Sequence, residues 1–304
     1  MLRIPRFSLV LCLVAQFLAA CGADAVAPMG APPPAGSGPG NPGPSGTPGP
    51  APYLALGDSI AFGYSPLIAE GGDASRFVGY PELLGPMLGF APMNLACTGE
   101  TSGSFLSRSE PDNGCAEWRS HAPLHVPYPG AGVAQLDFAV ALLRAHGDTA
   151  LVTLAIGGND LVLLRGRCGG DAACVAAGMP RLLGDLRSHL ETIFSRLRDD
   201  AGYAGPIVAL TYYAPNYGNL TEDASLIALN QVLADVARDW DAKVANGFDA
   251  FLRASLAQTG DACAAGLLVS MPGGGCDAHP SLDGHRALAQ TVAQVLGPVG
   301  PRAN

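Results

Sequence analysis

The stretch Tyr53-Leu54-Ala55-Leu56-Gly57-Asp58-Ser59-Ile60-Ala61 decides how the whole chain is read. Its first four residues form an apolar run of the length of a buried strand, and Gly57-Asp58-Ser59 breaks that run with turn-forming residues. A serine at such a strand-to-loop turn can stand exposed above a sheet, where a nucleophile has to be. Alone, the motif reads as readily as a plain turn.

Two distant segments change that balance. Ala150 to Ile156 is apolar enough for a fully buried strand and ends in Gly157-Gly158-Asn159-Asp160. Glycines let the backbone approach a substrate, and an Asn amide offers two N–H donors without a charge, which suits a developing oxyanion. Near the C-terminus stands Asp277-Ala278-His279-Pro280. A histidine preceded by an acid supplies a general base and its orienting partner. Each segment also has a bland reading, as a Gly-Asn turn or a surface histidine.

Taken together the segments resemble the GDSL, or SGNH, hydrolase family. Its four motif blocks fall in order on Gly57-Asp58-Ser59, on Gly99 within Asn94-Leu95-Ala96-Cys97-Thr98-Gly99-Glu100-Thr101-Ser102, on Gly157-Gly158-Asn159-Asp160, and on His279-Pro280. The resemblance covers roughly residues 53 to 296. It implies a flavodoxin-like three-layer α/β/α sandwich with a parallel five-stranded sheet. It also implies Ser59 as nucleophile, His279 as base, and an oxyanion hole from Ser59, Gly99 and Asn159. One position departs from the family pattern: the acid usually stands three residues before the histidine, where this chain has Cys276, and Asp277 is two before. Asp277 or a backbone carbonyl is therefore expected to orient His279. His285, in Asp283-Gly284-His285, reads as the start of a final helix over 284–296 and not as the base. No cofactor and no metal are expected.

The periodicity agrees with that fold class. Strand-like runs recur at 53–57, 92–96, 150–156, 206–211 and 243–246. Helical stripes lie at 132–146 (Val133, Leu136, Val140, Leu143), 180–198 (Leu183, Leu186, Leu190, Ile193, Leu197) and 222–240 (Leu226, Leu229, Leu233, Val236, Trp240), and read as core faces. Alternation of strands and helices predicts a parallel sheet covered on both sides, with the site beyond the carboxyl ends of its strands. Ser59 lacks the Gly-x-Ser-x-Gly elbow of the α/β-hydrolases, and residues 53–304 hold no phosphate-loop or dinucleotide motif. The polar stretch 101–131 reads as a long loop beside the site, with Trp118 and Tyr128 either lining an acyl pocket or packing the loop down, and with His121 and His125 at the surface. His146 and His189, on helices, are given no role.

The N-terminal part carries information about location. Arg3 and Arg6, the apolar run Phe7 to Ala20 and then Cys21 read as a signal peptide over 1–20, too short for a membrane span. Leu18-Ala19-Ala20-Cys21 resembles a bacterial lipobox, which implies lipid on Cys21 and export to the cell envelope. Residues 21–52 are dominated by Pro, Gly, Ala and Ser and read as a disordered tether, leaving 53–304 as the hydrolase domain. The formal net charge of −9 argues against nucleic-acid binding. Cys97, Cys115, Cys168, Cys174, Cys263 and Cys276 are an even set in an exported chain. They suggest three disulfides, of which neighbour pairing is the simplest.

These readings favour a monomeric esterase or lipase that works through an acyl-enzyme on an acyl lipid, short ester or acetylated glycan. An acyltransferase or deacetylase on surface glycan, or a non-catalytic anchored glycan-binding module on the same fold, are the alternatives.

Overall fold

The apolar run at Tyr53 becomes the first strand, β1 (Ala51–Gly57), in a computed structural model that describes residues 49–218 and 220–297. The strand starts two residues before the expected domain boundary. The expected signal peptide, Cys21 and nearly all of the tether lie outside the described residues. From β1 the chain continues through α1 (Ser59–Phe62), α2 (Tyr80–Leu88), β2 (Phe90–Asn94), α3 (Ser102–Leu106), α4 (Cys115–His121) and α5 (Gln135–Ala145). Then follow β3 (Leu151–Ala155), α6 (Gly158–Arg167), α7 (Ala172–Ser195), β4 (Ile207–Leu210), α8 (Leu220–Asp239) and β5 (Lys243–Ala245). The described chain closes with α9 (Gly247–Ser255), β6 (Leu268–Ser270), β7 (Cys276–Pro280) and α10 (Leu282–Leu296).

Five strands form one parallel sheet in the order β2-β1-β3-β4-β5. Every residue of β3 and β4 is buried, as is β1 from Tyr53 onward, while the edge strands β2 and β5 are only partly covered. That burial on both faces is why the central strands read as unbroken apolar runs rather than as alternations. The helices form two sets packed on the sheet, α2, α9 and α10 in one and α5, α7 and α8 in the other, giving a layered α/β/α fold. The strand order reverses between β1 and β3, and a crevice at such a reversal is where open parallel sheets bind ligands.

Several elements differ from the sequence expectation. The stretch 101–131 holds two short helices, α3 and α4, each begun by a local device: Thr101 accepts from Ser104 N at 3.1 Å to start α3, and the left-handed Gly114 turns the chain into α4. The stripe of α7 is buried through Leu182, Leu186, Leu190 and Ile193, with Leu183 only partly covered. His279 lies in a two-stranded antiparallel ribbon, β6 with β7, that carries too few apolar residues to be visible as periodicity. His285 does lie in α10, where it is 2 % exposed.

Gly57 is the hinge between sheet and site. Its φ is +138°, and a Cβ placed there would lie 2.0 Å from the Ala155 carbonyl oxygen on the neighbouring strand. A side chain is thus excluded both by conformation and by space. Gly57→Ala should cost about 3 kcal/mol or more of stability, within the range of strained or overpacked sites. A melting temperature within two degrees of wild type would contradict this reading of the hinge.

Candidate active site

The turn after β1 places Ser59 at the start of α1. Asp58 caps that short helix, accepting from Ile60 N at 3.0 Å, so the backbone is fixed on both sides of the serine. Across the crevice, Ser59 Oγ lies 3.0 Å from His279 Nε2, and His279 Nδ1 lies 2.5 Å from Asp277 Oδ1. The same carboxylate oxygen accepts the backbone N–H of His279 at 2.9 Å. Asp277 therefore fixes both the ring and the main chain of the histidine. The two-residue spacing that departs from the family pattern is the spacing of this local turn. Tyr64 packs edge-on against the His279 ring, with centroids 4.7 Å apart.

Gly99 and Asn159 come to the same place from β2 and β3. Gly99 has a φ of +74° in the turn after β2, and Asn159 occupies the first turn of α6 rather than a free loop. The Asn159 amide is held at both ends. Its Nδ2 donates to Glu100 O at 3.0 Å, and its Oδ1 accepts from Asn113 Nδ2 at 2.9 Å. Asn113, a residue that sequence reasoning passed over, thus sets the orientation of the Asn159 amide.

Three acids lie behind this surface, Asp58 and Glu100 buried and Asp160 partly so. Asp58 is 1 % exposed, and its pKa is pushed up to about 7 by burial, against the opposing hydrogen bonds from Tyr212 and Ile60. The Tyr212 hydroxyl donates to Asp58 Oδ2 at 2.5 Å. Glu100 and Asp160 are also raised by burial, and each is held by donors that favour the ionised form. Glu100 accepts from Ser104 Oγ and Gln135 Nε2, with Arg108 nearby at 3.6 Å. His285 moves the other way: it is buried, neither ring nitrogen has a partner, and its pKa falls to about 3. A neutral imidazole in that setting cannot serve as a base for Ser59.

The residues open onto a cavity of about 550 Å³. Trp118 lines it and also packs on Phe62, Phe77 and Tyr64, so one side chain both walls the cavity and holds α4 down. Tyr128 lies outside the cavity, donating to Leu95 O at 2.5 Å beneath the Arg119 guanidinium. His121 is at the rim, 3.0 Å from Glu70. His125 is not at the surface as expected: it is largely enclosed, packs at a tilt against the Phe62 ring and bonds Phe62 O at 3.0 Å.

The six cysteines are joined as Cys97–Cys115, Cys168–Cys174 and Cys263–Cys276. The first ties the Gly99 turn to α4, and the third ties β7 to the segment before β6. Among the described residues, the one grouping with metal-ligand character is Cys97, Glu100 and Cys115, and the disulfide removes both thiolates from it.

Residues 55–287 match the model of the GDSL-like Lipase/Acylhydrolase family. No curated protein matches the chain. Among solved structures, it is similar to an extracellular lipase from Streptomyces rimosus (18% identity, TM-score 0.54, covering 81% of this chain and 99% of that one). It is also similar to phospholipase A1 from Streptomyces albidoflavus NA297 (20%, 0.52, 81% and 98%) and to Axe2, an acetylxylan esterase from Geobacillus stearothermophilus (18%, 0.51, 84% and 99%). At these identities the likeness is one of fold.

The raised Asp58 has a thermodynamic consequence. Between its ordinary value near 4 and about 7 the folded state holds a proton that the unfolded state has released, so this group makes stability fall as pH rises through that window. His285 acts oppositely: its pKa is depressed from 6.5 to about 3, so the stability it contributes is lost as pH falls below 6.5. The two slopes oppose each other in wild type, and only a difference between variants isolates one. The stability of Asp58→Asn relative to wild type should therefore climb from pH 4 to 7 and level off above it. A pH-independent difference in chemical denaturation would refute the assignment.

Proposed function

This chain belongs to the GDSL-like lipase/acylhydrolase family and is a carboxylic ester hydrolase, and we propose that it works through an acyl-enzyme on Ser59. The observation that carries the reading is the line of contacts Ser59 Oγ, His279 Nε2, His279 Nδ1, Asp277 Oδ1 at the wall of the cavity. Ser59 Oγ attacks the ester carbonyl while His279 takes its proton. The carbonyl oxygen, now an anion, receives the Ser59 and Gly99 backbone N–H groups and the Asn159 amide. His279 returns the proton to the alcohol as the C–O bond breaks. A water then enters, gives its proton to His279 and releases the acid, which restores Ser59. Asp277 stays ionised and holds the ring.

Leu161, Val162 and Leu226 line one part of the cavity, a surface suited to an apolar acyl chain. We therefore favour esters with acyl chains longer than acetyl, as in acyl lipids or short fatty esters, over acetylated glycan. Location at the cell envelope through lipid on Cys21 belongs to the same proposal: it would hold the site near lipid. Its test is Cys21→Ala, expected to release the protein from membranes with specific activity unchanged; a mature N-terminus without lipid would overturn it.

Ser59→Ala should lower kcat by about three orders of magnitude or more, and His279→Ala by a similar factor. Asn159→Ala should lower kcat by about 10² to 10³ with a smaller effect on KM, because its amide meets a charge that exists only in the transition state. His285→Leu, which fills the same space without orphaned nitrogens, should retain kcat within about twofold and gain about 1 kcal/mol of stability. The measurement is steady-state hydrolysis of p-nitrophenyl esters from acetyl to palmitoyl. A tenth of wild-type activity surviving in Ser59→Ala, or His285→Leu proving as damaging as His279→Ala, would overturn the assignment.

A further inference from the structure

A second serine, histidine and acid meet behind the oxyanion hole. Ser102 Oγ donates to Asp160 Oδ1 at 2.6 Å and lies 2.8 Å from His189 Nδ1, while the Ser102 backbone N–H donates to Asp160 Oδ2 at 2.9 Å. Ser102 is fully buried, so the cluster is not a second active site. Its wiring is also reversed. The Ser102 proton is committed to Asp160, so the Ser102 oxygen accepts from His189 Nδ1–H; a nucleophilic serine would give its proton to the histidine.

Position explains what the cluster does. Ser102 is the first residue of α3, three residues after Gly99. Asp160 is in the first turn of α6, next to Asn159. The Asp160 carboxylate thus caps the start of α3 from a different helix, satisfying a backbone N–H that has no partner within α3. His189 reaches both from α7, which packs on α3 and on α6. The N–H of Gly99 and the amide of Asn159 lie on separate segments, tied side chain to backbone by the Asn159–Glu100 bond and through Asn113, and the Ser102–Asp160 contact fastens the two helices that follow them.

We propose that Ser102, Asp160 and His189 are positioning residues that fix the spacing between the Gly99 and Asn159 donors of the oxyanion hole. The inference rests on the acyl-enzyme reading above. In this arrangement His189 orients Ser102, Ser102 clamps Asp160, and Asp160 registers α6 against α3. A clamp of this kind acts on the transition state, because a donor displaced by a fraction of an ångström still tolerates a carbonyl but holds an oxyanion less well.

The test compares Ser102→Ala, His189→Leu and His189→Asn in the full chain, with Ser59→Ala as control. The readouts are kcat and KM on a p-nitrophenyl ester, inhibition by an alkyl boronic acid, which forms a tetrahedral adduct on serine, and melting temperature. Ser102→Ala should lower kcat about tenfold or more and weaken boronate inhibition by a comparable factor, with KM within about threefold. His189→Leu should show the same pattern at about threefold to tenfold, and His189→Asn, whose Nδ2 can stand where Nδ1 stood, should recover most of the loss. If Ser102→Ala does not fold, the partly exposed His189 pair decides the matter. Loss of melting temperature with kcat and boronate affinity both intact would show a structural role only, and would overturn the proposal. So would His189→Leu and His189→Asn behaving alike. If Ser59→Ala stays active, the acyl-enzyme reading itself falls and takes this one with it; a dead Ser59→Ala beside an unaffected His189→Leu removes only the clamp.

Discussion

The side-chain amide of Gln135 is the joint on which the site hangs. It accepts from Gly57 N at 2.7 Å and donates to Gly57 O at 3.0 Å, so one amide closes both backbone groups at the point where the chain leaves β1. The same Nε2 group also donates to Glu100 Oε2 at 3.1 Å, and the Glu100 carbonyl receives the Asn159 amide. Three segments distant in sequence, those of Ser59, Gly99 and Asn159, are therefore referred to one fully buried residue at the start of α5. Backbone groups buried at a strand end must find partners: Gly57 O also accepts from Cys97 N at 3.1 Å, whereas Gly57 N, in a turn with φ +138°, takes the Gln135 amide oxygen. The need for a substitute amide at this position follows from the turn that presents Ser59.

The buried acids follow from the same crowding. Turning three strands toward one point crowds polar groups together, and Asp58, Glu100 and Asp160 each accept from at least two donors, one of them a hydroxyl and one an N–H. Burial alone would drive all three toward the neutral acid; the hydrogen bonds oppose it. The balance differs among them. Asp58 has a tyrosine hydroxyl and one backbone N–H, whereas Asp160 has a hydroxyl, a backbone N–H and a nearby histidine. Such networks rigidify only when every member is satisfied, and here the donors come from different elements, so each acid also fastens two parts of the chain together.

How much of this was legible in the sequence depends on the range of the forces involved. The strands of the sheet and the stripes of α5, α7 and α8 were readable because burial on two faces leaves unbroken apolar runs, and burial on one leaves a period. Ser59, Asn159 and His279 were readable because a reacting group sits beside turn residues with few alternatives. Gln135, Asn113, Tyr212 and Ser102 left no local trace: each acts on a partner far off in sequence, and a lone Gln or Ser in a helix start looks like any other. The ribbon β6–β7 was missed for another reason. Its buried apolar residues, Leu268 and Val269, are too few to show a period, and β7 is held by the Cys263–Cys276 disulfide and by Tyr213, whose hydroxyl donates to Ala278 O at 2.6 Å.

That difference in support divides the site into two halves. Ser59, Gly99 and Asn159 stand on the sheet and on helices packed against its buried strands, so their geometry draws on the whole core. His279 and Asp277 stand on a short ribbon, braced by one disulfide, one tyrosine and the packing of Tyr64 on the imidazole. β6 buries Leu268 and Val269, but β7, which carries the pair, buries only Pro280, and local opening is easiest where such contacts are sparse. Reduction of Cys263–Cys276 should therefore loosen the base while leaving the nucleophile and the oxyanion donors in place. Under mild reduction, hydrolysis should decline before the far-ultraviolet circular dichroism signal changes, and labelling of Ser59 by a fluorophosphonate, which depends on His279, should decline with it. Activity that outlasts the secondary structure would show that the ribbon needs no such brace.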